Sequence, residues 1–328
     1  MILLTLISIP VCFILSRFMI FLSNKIGFVN FPNPIVETHN KATAYGGGVA
    51  IGLTILIFLA IEKMYNETTS NFILIVTAIL LLGLLDDIFR LSPLKKLSIQ
   101  FVITILILLL FIKVSIPMIF LFIFILLIFQ NAWNLIDIMD GLTAGISFVV
   151  FLSIGIILFP YNEYQFYDFL ALIIAFSVLG FRFLNKNPAK IFLGETGTLL
   201  LGSLFIIVVI NVFLISKITA IFLLFLAIIP FFELVFLIIV RTRKGIPFWL
   251  GSTDHFALRM LNNGNNINSI NTKVILFNIC YSLVIVLVNV YLNNLIGVII
   301  CSVISLIIMA IAFIYFSSLP AREIIQSK

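Results

Sequence analysis

Long apolar runs separated by short polar connections occupy the chain from end to end. They fall near residues 1–22, 47–61, 71–85, 98–113, 116–131, 143–159, 168–184, 198–215, 218–240, 273–292 and 295–316. A helix crosses the hydrocarbon core of a bilayer with roughly 20 residues. The runs do not alternate with period two, so barrel strands are excluded and helices remain as the spanning structure. The pattern predicts an all-α, polytopic membrane protein of about eleven transmembrane helices, forming a single integral-membrane domain over residues 1–328. The first run lacks the basic segment and small-residue cleavage site of a signal peptide, and reads as the first membrane helix.

The connections divide into two kinds. Alternate connections carry Lys25, Lys41, Arg90, Lys95, Lys96, Lys186, Lys190, Arg241, Arg243, Lys244, Arg259, Lys273, Arg322 and Lys328, whereas the others hold only Lys63, Lys113 and Lys217. Basic residues favour the cytoplasmic side, so the amino terminus is expected outside and the carboxy terminus in the cytoplasm. Asp86, Asp87, Asp137, Asp140, Glu195, Asp254 and both histidines fall on that same basic side. Any chemistry is therefore expected at the cytoplasmic face.

Composition agrees: 63% of residues are hydrophobic and 10% charged, and 35 are phenylalanine. The net charge of +6 follows the topology signal and is no signature of nucleic-acid binding. Cys12, Cys280 and Cys301 lie inside runs, without metal or disulfide spacing. No connection exceeds roughly thirty residues, and no internal repeat is evident. A transporter would carry polar residues through the bilayer midplane, but here the acids cluster at one face and the centres of the runs are apolar.

Four segments concentrate the polar chemistry. Gly46, Gly47 and Gly48 permit close backbone approach at the entrance of a run, and His39, Lys41 and Thr43 before them can donate to phosphate oxygens. Asp86 and Asp87 are followed by Arg90, Ser92, Pro93 and Lys96. Adjacent helical side chains point about 100° apart, so the two aspartates can serve different partners. Asn131, Asn134, Asp137 and Asp140 recur every three residues, which predicts one polar stripe along a helix. Such a stripe in apolar surroundings is costly unless it lines a wet cleft or a ligand. Glu195 stands between Gly194 and Gly197, near Lys186 and Lys190, at an expected helix entrance where N–H groups and the helix dipole favour phosphate. Farther on, His255 and Arg259 lie one helical turn apart in the longest basic connection.

In this order the segments resemble those of the polyprenyl-phosphate N-acetylhexosamine-1-phosphate transferases, membrane enzymes of glycosyltransferase family 4. The resemblance covers about residues 30 to 261. The most specific segment is NAWNLIDIMDGL, from Asn131 to Leu142; Asp86-Asp87 with Leu91, Ser92, Pro93 and Lys96, and Phe192 to Thr198, also match. Two departures stand out. Glu195 replaces the family's metal-binding aspartate, and the final histidine-rich motif is reduced to His255 and Arg259, unlike the muramoyl-pentapeptide branch. The longer glutamate side chain leaves a shifted ion, a weaker one, or an inactive homologue as consequences.

The resemblance implies transfer of N-acetylhexosamine 1-phosphate from a UDP-N-acetylhexosamine to a polyprenyl phosphate, with release of UMP, at the start of a cell-envelope glycan. It implies Mg2+, with Mn2+ as the alternative ion, held by Glu195 and Asp87, with Asp86 and Asp87 as catalytic residues. Substrate contacts fall to His39, Lys41, Thr43, Lys96, Asn131, Asn134, Asp137, Asp140, Lys190, Phe192, Thr198, His255 and Arg259. The implied location is the bacterial plasma (inner) membrane with the active site facing the cytoplasm; a homodimer is the assembly related enzymes suggest.

Overall fold

A computed structural model describes residues 2–31, 42–63, 69–111, 115–247 and 249–321. The elements run α1 (Ile2–Leu6), α2 (Ser8–Ile26), β1 (Val29–Asn30), β2 (Thr43–Ala44), α3 (Gly47–Lys63), α4 (Thr69–Phe89), α5 (Pro93–Phe111) and α6 (Ile116–Leu135). They continue as α7 (Leu142–Leu158), α8 (Gln165–Asn185), α9 (Gly194–Ile215), α10 (Lys217–Phe225), α11 (Ile228–Arg243), α12 (Phe256–Asn262), α13 (Ile267–Tyr291) and α14 (Leu295–Ser318). A short 3-10 turn, Asn162–Tyr164, precedes α8. Among the described residues seven helices are long and apolar enough to cross a membrane, or eight if the bent pair α10–α11 is one span. The protein is a polytopic helical membrane protein.

Three features depart from the sequence pattern. The run at 218–240 is not one straight helix; α10 and α11 meet at 66°. The chain is not purely helical, since β1 and β2 pair antiparallel, Val29 with Ala44 and Asn30 with Thr43, and Ala44 bridges in parallel to Ile191. The stripe from Asn131 to Asp140 is not one helix, because α6 ends at Leu135 and a turn carries residues 136–141 into α7. Gly141 ends that turn at φ 74°, a left-handed conformation in which a Cβ would be strained.

The interior is built on α7, α8 and α9. α7 packs on α8, α4 and α6 pack on α9, and α2 packs on α8. In α9 78% of the apolar window is buried, against 17% in α14, so α9 is a central helix and α14 a peripheral one. That explains why α9 is apolar on all sides, as a helix enclosed by others must be. Sparse polar ties fix helix register: Gln130 donates to Ser203 at 2.9 Å between α6 and α9, and Trp133 donates to Ser147 at 2.9 Å between α6 and α7. Such ties replace the hydrophobic drive that lipid does not supply.

Candidate active site

The site forms where α4, α5, α6 and α9 end on the same side. At the end of α4, Arg90 takes φ 48° and stops the helix, and the N–H of Leu91 turns back to Asp86 at 3.1 Å. Pro93, which lacks an N–H, opens α5 and brings Lys96 into its first turn. Lys96 Nζ lies 3.2 Å from Asp86 Oδ2 and also donates to Glu195 Oε2. One lysine thus joins the acids of two helices.

Asp87 takes different partners. Its two oxygens accept the backbone N–H groups of Glu195 at 2.8 Å and Thr196 at 3.0 Å, and the Thr196 hydroxyl as well. These N–H groups belong to the first turn of α9, where a helix has no internal acceptors. Gly194 makes this possible: it sits at φ 75°, and a Cβ there would stand 2.8 Å from Asp87 Oδ2. Glu195 then projects back, its carboxylate receiving Asn134 Nδ2 from α6 as well as Lys96. Asn134 also reaches Thr198 at 3.4 Å.

These ends border a cleft of about 330 Å3 whose lining includes Asp87, Asn134, Asp137, Asp140, Phe192 and Glu195. Lys96 adjoins it through Glu195. Burial is the largest effect on Asp137 and pushes its carboxyl up to about 7. The Thr143 hydroxyl pulls it down, while the charges of Glu195, Asp87 and Asp140 add to the rise. Asp140 Oδ2 accepts the N–H of Ala189 at 2.9 Å, and Asn185 accepts the N–H of Gly141 at 3.1 Å. The arrangement is an electronegative, part-enclosed pocket, suited to a cation that carries phosphate oxygens in its shell. Among the described residues no three His, Cys, Asp or Glu side chains converge tightly enough to chelate an ion by themselves.

The other expected residues lie elsewhere. Asn131 spends its Nδ2 on the carbonyl of Leu127 in its own helix at 2.8 Å and is not part of the cleft lining. Thr43 is buried in β2 beside Asn30, which does line the cleft. Lys190 is exposed and outside the lining. His39 and Lys41 lie outside the described residues.

His255 and Arg259 are absent from the cleft wall. His255 Nδ1 is 2.7 Å from the buried Glu233 Oε1. Arg259 pairs with Asp254 at 2.8 Å and donates to the carbonyls of Phe316 and Leu319 at the end of α14, at 3.1 and 2.8 Å. Burial alone would raise Asp254, but Lys244 and Arg259 hold its carboxyl below the ordinary carboxylate range. This cluster braces α11, α12 and α14.

Sequence reasoning missed Asn30, Tyr45, Asn185 and Thr196. Thr196 was visible as the donor beside Glu195 in the Gly194–Thr198 segment. Asn30 and Tyr45 reach the cleft through the β1–β2 pairing, which no hydropathy pattern announces.

Comparison with known proteins follows the same lines. The sequence profile of glycosyl transferase family 4 matches residues 69–213, which hold Asp86, Asp87, Lys96, Asn134, Asp137, Asp140 and Glu195. A probable undecaprenyl-phosphate N-acetylglucosaminyl 1-phosphate transferase of Bacillus subtilis (strain 168) is 28% identical over 256 residues, covering 72% of this chain and 70% of that protein. An undecaprenyl-phosphate alpha-N-acetylglucosaminyl 1-phosphate transferase of Thermotoga maritima is 32% identical over 198 residues, 59% of this chain and 60% of that protein. A phospho-N-acetylmuramoyl-pentapeptide-transferase of Listeria welshimeri is 47% identical over 77 residues, 24% of each chain. The segment that supplies most of the cleft is thus similar to glycosyl transferase family 4.

Proposed function

We propose that the protein transfers N-acetylhexosamine 1-phosphate from a UDP-N-acetylhexosamine to a polyprenyl phosphate and releases UMP. The observation that carries this reading is the cleft itself: Asp87, Asp137, Asp140 and Glu195 surround it, with Lys96 bound to Glu195. The relatives' names give the reaction type. In the reaction an oxygen of the polyprenyl phosphate attacks the β-phosphorus of the donor. A new phosphorus–oxygen bond forms, and the bond to the bridging oxygen breaks with its electron pair leaving on UMP. Such transfers need positioning and charge neutralisation more than covalent help.

The residues divide that work. Asp87 caps the first turn of α9 and so fixes where Glu195 stands. Lys96 supplies a positive charge held between Asp86 and Glu195, and Asn134 orients Glu195. A base is not required, because a phosphate monoester has a second pKa of about 6 and is largely ionised at neutral pH. The donor set fits Mg2+, which commonly takes one or two carboxylates and completes its shell with phosphate oxygens and water. Glu195 and Asp137 are the side chains that would hold it, since both oxygens of Asp87 are engaged by α9. When bound, the ion would neutralise diphosphate charge.

The proposed location is a bacterial plasma membrane, crossed eleven times, with an outward amino terminus and a cytoplasmic cleft. What supports it is that each expected run overlaps a described helix or a pair of consecutive helices, and that basic residues mark the cleft side. The test is UMP release by the purified protein from a panel of UDP-sugars, with undecaprenyl phosphate and Mg2+ each present or omitted. UMP that needs both, and disappears in Glu195→Gln, supports the reading. Folded protein that binds UDP-sugar yet releases no UMP from any donor would mark a non-catalytic homologue.

A further inference from the structure

The turn that carries Asp137 and Asp140 into the cleft is fixed from two sides. From the α8–α9 side come Ala189, whose N–H reaches Asp140 Oδ2 at 2.9 Å, and Asn185, which accepts the N–H of Gly141 at 3.1 Å. From the other side comes α13. Asn271, buried near the start of that helix, donates its Nδ2 to the backbone carbonyl of Asp140 at 2.7 Å. Its own Oδ1 is buried without a partner. An apolar side chain of that size would fill the space without burying an unpaired acceptor, so the amide is accounted for by the one bond it makes. The contact comes from outside residues 69–213, the segment that carries the cleft's acidic residues.

Asn278, seven residues farther along the same buried face, offers an internal comparison. It donates to the carbonyl of Ile146 within α7 at 3.3 Å and likewise leaves its Oδ1 unpaired. Both asparagines tie α13 to the α7 region, but only Asn271 bonds the turn that bears cleft carboxylates.

We propose that Asn271 is a positioning residue: by holding the Asp140 carbonyl it sets where Asp137 and Asp140 stand in the cleft. This inference rests on the transferase reading given above. The experiment compares Asn271→Leu with Asn278→Leu in the full-length protein, measuring KM for the UDP-sugar, kcat and melting temperature. Asn271→Leu is expected to raise KM about tenfold, the scale of one buried hydrogen bond. Asn278→Leu should leave KM within about twofold while also lowering the melting temperature. Equal effects of the two variants on KM, or no change in Asn271→Leu, would overturn the proposal. Wild-type protein that releases no UMP defeats the transferase reading instead. The melting temperatures of Asn271→Leu, Asp140→Ala and the double variant then decide: non-additive shifts uphold the tie between the two residues, and additive shifts refute it.

Discussion

Asp87 accepts the backbone N–H of Glu195 at 2.8 Å, so the last turn of α4 closes the first turn of α9. The contact makes the paired-aspartate segment and the Gly194–Thr198 segment, more than a hundred residues apart in sequence, into one unit. It also separates the two aspartates in function. Asp86 bonds Lys96 and the N–H of Leu91, while Asp87 bonds α9.

Removing the Asp87 carboxylate should therefore cost both stability and activity. Asp87→Ala loses an N-terminal cap, worth about 1 kcal/mol, and is expected to lower the melting temperature by a few degrees. The displaced first turn of α9 also misplaces Glu195, so UMP release should fall by about a hundredfold or more, as for lost electrostatic preorganisation. Melting curves and UMP assays on the same preparation check both. Unchanged stability would refute the capping role.

Glu195 is expected to respond to length as well as charge. Glu195→Gln keeps the shape, loses the ion pair with Lys96, and should raise the Mg2+ concentration needed for half-maximal rate at least tenfold. Glu195→Asp withdraws the carboxylate by one methylene from Lys96 and Asn134. A Mg2+ titration of each variant measures the effect, and an unaltered requirement in Glu195→Gln would remove Glu195 from the metal site.

Asp137 gives the pH dependence. Its carboxyl titrates at about 7 in the folded protein, above its ordinary value of 3.8. The folded state thus keeps a proton that the unfolded state has already lost. Without a divalent ion, stability should decline as pH rises from about 4 toward 7, and the loss should be complete above that value. Cation and donor affinity run the other way, growing as pH passes upward through about 7 and the carboxylate forms. A profile of kcat/KM against pH should show that rise and flatten in Asp137→Asn. A profile of the same shape in both proteins would contradict the assignment.

The Arg259 cluster should act on stability and not on substrate affinity. Arg259→Ala leaves Asp254 with Lys244 alone and uncaps the carbonyls of Phe316 and Leu319. Removing one partner of a buried pair costs roughly 3 kcal/mol, so the melting temperature should drop clearly while KM for the donor stays within about twofold. A large KM increase in a variant of unaltered stability would return Arg259 to the substrate site.

The sequence by itself determined that the protein is helical and membrane-embedded, because apolar runs of spanning length allow no other way to satisfy the backbone in lipid. It also exposed the acidic residues as candidates, since carboxylates beside hydrocarbon are expensive to keep. Tertiary structure decided what each polar residue touches. Asn131 and Asp137 share a spacing, yet the end of α6 at Leu135 sends Asp137 into the cleft while Asn131 bonds its own helix. His255 and Arg259 read as substrate groups, but Glu233, Asp254 and the end of α14 claim them. Asn271, on a helix far along the chain, reads as an ordinary polar residue in an apolar run until the fold brings it to Asp140. Periodicity is a local property of the chain and reports which face is buried; hydrogen-bond partners are set by distances between helices, which no local pattern contains.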